Sequence, residues 1–344
     1  MRYLGAVEYQ HVCIEAVSYV VPETEVTTAD LEQRLAPLYR RLGMAPGFLE
    51  AITGIRARRF WDPGVQPSDV ATRAAERALA DAKIDRGRVD VLVSTSVCKD
   101  FIEPSVASLV HGNLGLKPHC LNFDVGNACL GFLTGMLTVA NMIELGQVDA
   151  GLVVAGEGSR TVTESTVRVL QDPSVTVQAY RDNLATLTLG SGAAAMVLTH
   201  ERVAKVGHRL LGGLLRAATE HSRLCLGTET SMTTDPPRLL AEGVRLARAT
   251  WDQTKQELDL DPRDITEYAL HQVGKANHEA VVRTLEVPDE RALKVYPELG
   301  NIGAAGVPIT LAKALERGRV QDGDLVALMG IGSGLNVAML GVRW

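Results

Sequence analysis

The sequence predicts an α/β protein made of two similar halves, and three observations predict it. Short apolar runs of strand length alternate with stretches that carry apolar residues at helical spacing. Several segments of the second half repeat segments of the first half at one constant offset. The chain has 344 residues, 46% of them hydrophobic, which is enough for a large core and one or two domains.

Local patterns place the individual elements of this fold. Strands are predicted where apolar residues form short uninterrupted runs, at residues 10–20, 89–94, 120–123, 149–155 and 194–198. A helix is predicted over residues 69–83, which are rich in alanine and which Ser68 can cap after Pro67. A second helix is predicted over residues 132–143. The strand at 120–123 is expected to be buried, and the helical connections predict a largely parallel sheet.

The internal repeat divides the chain. The matched pairs, all 174 residues apart, are Asp90 with Asp264, Asn127 with Asn301, and Ser159 with Ser333. Beyond them, Ala195 matches Ala338 at an offset of 143 residues. The change of offset predicts about 31 extra residues in the first half, roughly at 161–191. We therefore predict two like halves, residues 1–200 and 201–344.

Composition excludes several classes of function. A net charge of −6 does not favour nucleic acid or an anionic membrane surface as the main partner. No apolar run reaches the roughly 18–20 residues that span a bilayer, and residues 1–5 show no signal peptide. The five cysteines form no Cys-x-x-Cys motif, so we predict no metal site and reduced thiols in a cytoplasmic protein.

The segment 124–132 joins a predicted strand to a predicted helix and carries Cys129 between Gly126 and Gly131. A helix N-terminus has free N–H groups and a partial positive charge, and both favour a thiolate over a thiol. Small neighbours would let a substrate carbonyl reach the sulfur and a backbone N–H. Cys129 is therefore a candidate nucleophile; the alternative is a core cysteine that packs as a small apolar side chain.

Three residues of the second half are predicted to lie near Cys129. His271 and Asn301 follow strand ends that the repeat aligns with strand ends of the first half, and ligands of open α/β sheets bind at the carboxyl ends of strands. Ser333, in a run of small residues, could offer its backbone N–H to an oxyanion. Each also has an ordinary interpretation, as a satisfied core histidine for His271 and as a turn residue for Asn301 and Ser333.

The motifs around these residues resemble the thiolase superfamily, in the branch of β-ketoacyl synthase III-like condensing enzymes. They are Gly-Asn-Ala-Cys-Leu-Gly at 126–131, His-Gln at 271–272, Gly-Asn-Ile-Gly at 300–303 and Gly-Ser-Gly at 332–334. Within that branch the chain is most similar to the condensing enzymes of bacterial long-chain olefin synthesis. The resemblance covers essentially the whole chain. It implies a thiolase-like fold, with two βαβαβαββ halves stacked as α-β-α-β-α layers.

The resemblance also implies the chemistry of the site. Cys129 would take an acyl group from a thioester, and the N–H groups of Cys129 and Ser333 would hold the oxyanion. His271 and Asn301 would donate hydrogen bonds to the carbonyl that becomes an enolate; such donors are typically worth a few kcal/mol each. The substrates would be two fatty acyl-CoA thioesters, joined without decarboxylation and without a further cofactor. The enzymes it resembles imply a homodimer with a long acyl pocket and possible downstream partners in olefin synthesis.

Glu103 separates this reaction from its main alternative. It lies 26 residues before Cys129 and directly before Pro104. Synthases that use malonyl groups generally have an apolar residue there, because decarboxylation itself makes their carbanion, whereas joining two plain acyl chains needs a base for the α-proton. The resemblance implies that Glu103 enters the partner subunit's active site as that base. The ordinary interpretation is a solvated acid on a loop.

The residues leave other functions open. One is a decarboxylative β-ketoacyl synthase III that uses malonyl-ACP or malonyl-CoA. Another is an acyltransferase or thioesterase-like enzyme that passes the acyl group to an alcohol, an amine or water, and a third is a non-catalytic partner of the same fold. Arg56, Arg58 and Arg59 are candidates to contact CoA phosphates or are ordinary surface charges. The inserted segment 161–191 is expected to shape the acyl pocket or to cover the dimer interface.

Overall fold

The computed structural model describes residues 6–344, and strands alternate with helices along them. Residues 1–5, on which the prediction of no signal peptide rests, lie outside the described residues. The strands are β1 Val7–Glu8, β2 Val12–Val20, β3 Glu25–Thr27, β4 Ala57–Arg59, β5 Val91–Ser94, β6 Leu121–Asp124, β7 Ala150–Glu157, β8 Gly192–His200, β9 Arg209–Ala217, β10 Cys225–Gly227, β11 Met232–Thr234, β12 Ile265–Leu270, β13 Leu325–Gly332 and β14 Asn336–Arg343. The helices are α1 Thr28–Arg34, α2 Ala36–Leu42, α3 Phe48–Thr53, α4 Pro67–Ala82, α5 Val106–Leu114, α6 Gly131–Glu144, α7 Arg160–Leu170, α8 Val177–Asn183, α9 Pro236–Glu257, α10 Lys275–Leu285, α11 Tyr296–Leu299 and α12 Gly306–Glu316.

Ten strands form one sheet in the order β12-β13-β14-β9-β2-β8-β7-β5-β6, with β1 beside β9. Its two parts meet where β2 pairs with β9, at Cys13 and Arg209. Among the described strands, only the pairs β5–β6, β5–β7 and β12–β13 are parallel, and the other ladders of this sheet are antiparallel. The prediction of a largely parallel sheet is therefore wrong. A single crossover helix makes neighbouring strands parallel, whereas β8 and β14 run antiparallel beside β7 and β13, the strands before them.

The predicted α-β-α-β-α layering is confirmed by which face each strand residue buries. Successive side chains of a strand point to opposite faces. In β5, Val93 belongs to the central buried cluster that includes α6 and α12, while Leu92 belongs to the outer cluster that includes α4 and α5. In β13, Leu328 belongs to the central cluster and Met329 to the cluster under α9 and α10. Both parts of the sheet are thus covered on both faces.

The repeat is visible as matching elements. β5 and β7 correspond to β12 and β13 at the 174-residue offset, α6 corresponds to α12, and β8 corresponds to β14 at the 143-residue offset. At this offset helix α11 occupies the position that corresponds to β6, so the halves differ there as well as at the inserted segment. The predicted boundary at residues 200 and 201 falls between β8 and β9, and the division into two domains stays a prediction.

Two local predictions need correction. Helix α4 begins at Pro67, and its N-cap is Gln66, which exchanges hydrogen bonds with Asp69. Ser68 lies inside the helix and donates its hydroxyl to Asp100 at 2.6 Å instead. Strand β6 is not buried as predicted: it is the edge of the sheet, and Leu121 is 53% exposed. Apolar composition alone does not distinguish an edge strand from a central one.

The inserted segment is helical and packs on its own chain. Helices α7 and α8 bury Val167, Leu170 and Tyr180 against α1–α3 in a separate apolar cluster. The hydroxyl groups of Tyr39 and Tyr180 lie 2.9 Å apart within it. Among residues 6–344, no helix combines the length and the apolarity needed to cross a bilayer.

Candidate active site

Cys129 lies on a single turn, residues 128–130, between the edge strand β6 and helix α6. The turn is held by hydrogen bonds from the Leu130 N–H to the Asn127 carbonyl and from the Gly131 N–H to the Ala128 carbonyl. The N–H of Cys129 is not used by these bonds. Gly131 starts the helix so close to β5 that a Cβ there would lie 2.5 Å from the Thr95 carbonyl oxygen, so glycine is required.

The protonation of Cys129 differs from the sequence-based expectation. Burial, followed by the nearby charge of Glu157 and then the thiol of Cys225, raises the pKa of its thiol to about 12. Desolvation of the charged form therefore outweighs any benefit from the N-terminus of α6. At neutral pH residue 129 is a thiol, and it must lose its proton as it attacks.

His271 follows the last residue of β12, and its backbone N–H bonds to the Met329 carbonyl at 2.8 Å. Its ring packs on α12, where Nδ1 is 3.1 Å from the position that a Cβ on Gly306 would take. Both ring nitrogens are buried and have no hydrogen-bond partner among the described residues. Burial lowers the pKa of His271 to about 4. The site therefore holds a neutral imidazole with one free donor and one free acceptor.

We expect His271 to make the protein less stable as the pH falls from 7 to 5. The folded state keeps the ring neutral down to about pH 4, while the unfolded chain takes up the proton near pH 6.5. Since the unfolded state binds more protons in this window, the free energy of unfolding decreases by about 2 kcal/mol as the pH is lowered from 7 to 5. Urea unfolding of the wild type and of His271→Asn measures this as a difference between the two proteins. Equal pH dependence of both would contradict a buried neutral ring.

Asn301 is fixed by backbone and side-chain hydrogen bonds. Its N–H donates to the Thr188 carbonyl and its carbonyl accepts from the Gly190 N–H, both at 2.8 Å. Its side-chain Oδ1 accepts from the Gly303 N–H at 3.1 Å. The residue is 8% exposed. Because Oδ1 is engaged, the Nδ2 group is the side-chain donor that Asn301 can offer to a ligand.

Replacing Gly190 with alanine is expected to displace Asn301. A Cβ at residue 190 would lie 1.8 Å from the Leu299 carbonyl oxygen, which is far inside contact distance. We expect a loss of about 1–3 kcal/mol in the free energy of unfolding, together with a loss of turnover. Gly112→Ala, on α5 with no atom of residues 6–344 within 4 Å of its Cβ position, is the control and should be neutral or stabilising. Urea unfolding and a turnover assay check both variants.

Ser333 lies on the hairpin turn between β13 and β14, one residue past the last paired residue of β13. Its N–H therefore lies outside the ladder. This turn lies against the Cys129 turn: a Cβ on Gly332 would be 3.3 Å from the Leu130 nitrogen. Asn336, the first residue of β14, donates its side-chain amide to Asn127 at 2.8 Å.

The structure brings four of the five predicted site residues onto adjoining segments. The turn 128–130 packs against the turn 303–305, which follows Asn301, and against β13, which leads to Ser333. The turn 303–305 continues into Gly306, on which His271 packs. Their separate roles in catalysis stay predictions. The arrangement offers a thiol, a neutral imidazole, an amide donor and backbone N–H groups outside regular pairing.

Glu103 is not brought to these residues within the single chain. It lies on the loop 95–105 between β5 and α5, is exposed, and makes no hydrogen bond or ion pair with any residue from 6 to 344. Its neighbours Phe101 and Ile102 are 56% and 94% exposed. Exposed apolar side chains side by side are unusual on a loop that only contacts water.

Glu157 was not predicted as a site residue. It entered only as part of the repeat, although an acid at the end of an apolar strand is itself a sign of a functional site. The structure places it beside the Cys129 turn, 3% exposed, with its carboxylate bonded to backbone N–H groups. Burial raises its pKa to about 7.

The three arginine candidates differ in how accessible they are. Arg58 is fully buried and donates to Thr28 and to the Leu187 carbonyl, so it is not available to a phosphate. Arg59 donates to Glu25 and to backbone carbonyls. The side chain of Arg56 is 63% exposed and pairs with Glu298 at 3.3 Å. Of the three, Arg56 fits a contact with CoA phosphates best.

No group of three His, Cys, Asp or Glu side chains within the described residues is placed to hold a metal ion.

Comparison with known families matches most of the described fold to one family. Residues 123–217 match 3-oxoacyl-[acyl-carrier-protein (ACP)] synthase III, and residues 256–344 match the C-terminal part of the same family.

Individual relatives share more of the chain. An acyl-CoA:acyl-CoA alkyltransferase of Xanthomonas campestris pv. campestris is 43% identical over 98% of this chain and 99% of its own length. A protein of the same name from Shewanella oneidensis is 39% identical over 98% of this chain and all of its own length. A β-ketoacyl-[acyl-carrier-protein] synthase III of Bacillus pumilus is 27% identical over 94% of this chain and 96% of its own length.

Solved structures of one relative superpose on nearly the whole chain. Cerulenin-bound OleA from Xanthomonas campestris superposes with a TM-score of 0.96 at 43% identity, covering 98% of both chains. A variant of that protein with bound lauric acid and lauroyl-CoA superposes with a TM-score of 0.95 at 42% identity, covering 98% of this chain and 100% of the other.

Proposed function

Because this chain belongs to the 3-oxoacyl-[acyl-carrier-protein] synthase III family of thiolase-fold condensing enzymes, we propose that it joins two fatty acyl-CoA thioesters by a non-decarboxylative Claisen condensation. It is an acyltransferase, and its product is a 2-alkyl-3-ketoacyl thioester. The observation that carries the proposal is Glu103, an acid on an exposed apolar loop, in a chain that otherwise offers the thiol, imidazole and amide of a condensing enzyme. The 43% and 39% identical relatives are named for the same activity.

The first half-reaction loads Cys129. Its sulfur attacks the carbonyl of one acyl-CoA, the C–S bond to CoA breaks, and the thiol proton ends on the departing CoA sulfur. Because the Cys129 thiol is neutral at working pH, a base must accept this proton and then transfer it to the CoA sulfur. The neutral ring of His271, with both nitrogens unpartnered, supplies one. The N–H groups of Cys129 and Ser333 stabilise the oxyanion.

The second half-reaction forms the carbon–carbon bond. Glu103 of the partner subunit removes an α-proton from a second acyl-CoA, and the enolate oxygen accepts hydrogen bonds from His271 and Asn301. The α-carbon attacks the acyl-Cys129 carbonyl, the C–S bond to Cys129 breaks, and the proton that Glu103 removed passes to the Cys129 sulfur, which returns both groups to their starting states. Covalent catalysis thus divides one difficult condensation into two steps.

The proposal includes a homodimer, since Glu103 needs a second subunit to reach an active site. Two surfaces of the chain support it. Strand β6 is an edge strand, which presents unpaired backbone groups that a second β6 can pair with. The loop 95–105 exposes Phe101, Ile102 and Val97 together. Burying such side chains at an interface is favourable by roughly 25 cal/mol per Å².

The remaining parts of the proposal concern substrates and context. Fatty acyl-CoA thioesters are the substrates, and the reaction needs no separate cofactor or metal. Arg56 is the proposed contact for CoA phosphates. We place the enzyme in the cytoplasm, at the condensation step of long-chain olefin synthesis, upstream of enzymes that process the β-keto product.

Incubation with myristoyl-CoA alone tests the function. Free CoA and a β-keto product, or the ketone left by its decarboxylation, should appear without any malonyl substrate. Condensation that occurs only after malonyl-ACP or malonyl-CoA is added would support the decarboxylative synthase instead. An ester, an amide or a free acid with no new carbon–carbon bond would indicate an acyltransferase or thioesterase-like enzyme of the same fold.

A further inference from the structure

The buried carboxylate of Glu157 connects two loops of the site. Its Oε1 accepts hydrogen bonds from the Val97 N–H at 2.9 Å and the Ala304 N–H at 3.2 Å. Its Oε2 accepts from the Cys98 N–H at 3.2 Å. Val97 and Cys98 belong to the loop 95–105, while Ala304 belongs to the turn 303–305.

We propose that Glu157 is a positioning residue for carbon–carbon bond formation, which fixes the turn after Asn301 relative to the loop that leads to Glu103. The inference rests on the proposed function. Glu157 would thereby position Asn301 in the active site of its own subunit. It would also position the loop 95–105, which carries Glu103 toward the active site of the partner subunit. Errors of about 1 Å in such placements lower reaction rates on the order of 10²-fold.

The packing around Glu157 leaves little freedom. A Cβ on Gly303 would lie 3.1 Å from the carboxyl carbon, so the turn rests directly on this group. The backbone of Glu157 is itself held, since its carbonyl accepts a hydrogen bond from the Trp61 indole at 2.9 Å. The carboxylate is therefore a rigid link between the two segments.

The fold by itself does not require an acid at this position. The repeat aligns Glu157 with Ile331, which occupies the same place in β13 of the second half. Burying a carboxyl group is costly unless hydrogen bonds compensate it. Since the counterpart of Glu157 is an isoleucine, the fold does not explain the acid, which indicates that Glu157 serves the active site. The three N–H groups that it accepts from show which segments it holds.

Glu157 also acts on Cys129 through its charge. Ionised Glu157 disfavours the Cys129 thiolate, and Cys225 acts in the same direction. The thiol of Cys98 is the other titratable group beside the carboxylate. Removing the charge therefore has two opposite consequences, an easier ionisation of Cys129 and a looser arrangement of the loops. A side chain with a purely structural role would not produce this split.

Glu157→Gln is the test, with Glu15→Gln as the matched control. The glutamine side chain has the size of the glutamate, but its NH₂ group cannot accept a hydrogen bond. At least one backbone N–H group that Glu157 now bonds would therefore lose its acceptor. Glu15 is also buried and accepts hydrogen bonds, but from Thr199 and Lys205, in a different pair of segments. Both variants are prepared as full-length protein and compared with the wild type.

Three measurements decide the proposal. Hydrogen exchange should speed up in peptides covering 95–105 and 301–306 of Glu157→Gln only. Condensation of myristoyl-CoA should fall about 10- to 100-fold, while acylation of Cys129, seen by intact mass, is retained. Alkylation of Cys129 by iodoacetamide should shift to lower pH. Unchanged exchange, or an equal loss of acylation and condensation, would overturn the proposal. Absence of condensation in the wild type would instead refute the proposed function, and the exchange data would still show whether Glu157 holds the two loops.

Discussion

Glu103→Ala is expected to abolish condensation while leaving acylation of Cys129 largely intact. The first half-reaction needs no α-proton base, whereas the second does, and general bases typically contribute about 10²- to 10⁴-fold to a rate. Intact mass after a short incubation with myristoyl-CoA measures acylation, and free CoA with β-keto product measures condensation. Glu290→Ala, which removes another exposed acid, is the control and should leave both steps unchanged. Equal loss of both steps in Glu103→Ala would contradict the role of Glu103.

Mixed dimers test whether Glu103 acts across the interface. Co-production of Glu103→Ala with Cys129→Ala gives dimers in which one site has both the cysteine and the partner's acid. If subunits mix at random, about a quarter of all sites are complete, so about a quarter of the wild-type activity should return. Each variant alone should be inactive. No recovery in the purified mixed dimer would show that the acid acts within its own subunit.

Cys129→Ala is expected to remove all covalent chemistry. The protein should show no acyl mass increase with myristoyl-CoA, and product formation should fall by at least ~10⁴-fold, as is typical when a nucleophile is removed. The physical reason is that the acyl chain is held between the two half-reactions as a thioester of Cys129, and alanine has no group that can form one.

Cys225→Ala is the matched control, since Cys225 is the other thiol that influences Cys129. It should still be acylated, and peptide mapping should place the acyl group on residue 129. An acyl group on Cys225 or Cys98 in the Cys129→Ala protein would contradict the assignment of the nucleophile.

Elements with a strong local or repeated pattern could be predicted from the sequence. The 174-residue offset anticipated that β5 and β12 are equivalent, whereas the α-β-α-β-α layers were expected from the family resemblance. The predicted limits of α6 differ from the observed ones by one residue at each end. The prediction for β6 was less accurate because burial of a strand depends on its neighbours in the sheet, which its own residues do not specify. Ser68 is not the cap because Gln66 and Asp69 form a reciprocal pair that starts the helix two residues earlier than predicted.

The sequence by itself determined the residue types of the site and their order, because a thiol, an imidazole, an amide and an acid are identifiable without coordinates. Only the tertiary structure decided their states. Burial makes Cys129 a thiol of pKa about 12 and His271 a neutral ring. The tertiary structure also connects Glu157 to both loops by hydrogen bonds, and it leaves Glu103 exposed. Desolvation and hydrogen-bond partners come from segments far apart in the chain, so no local pattern can report them.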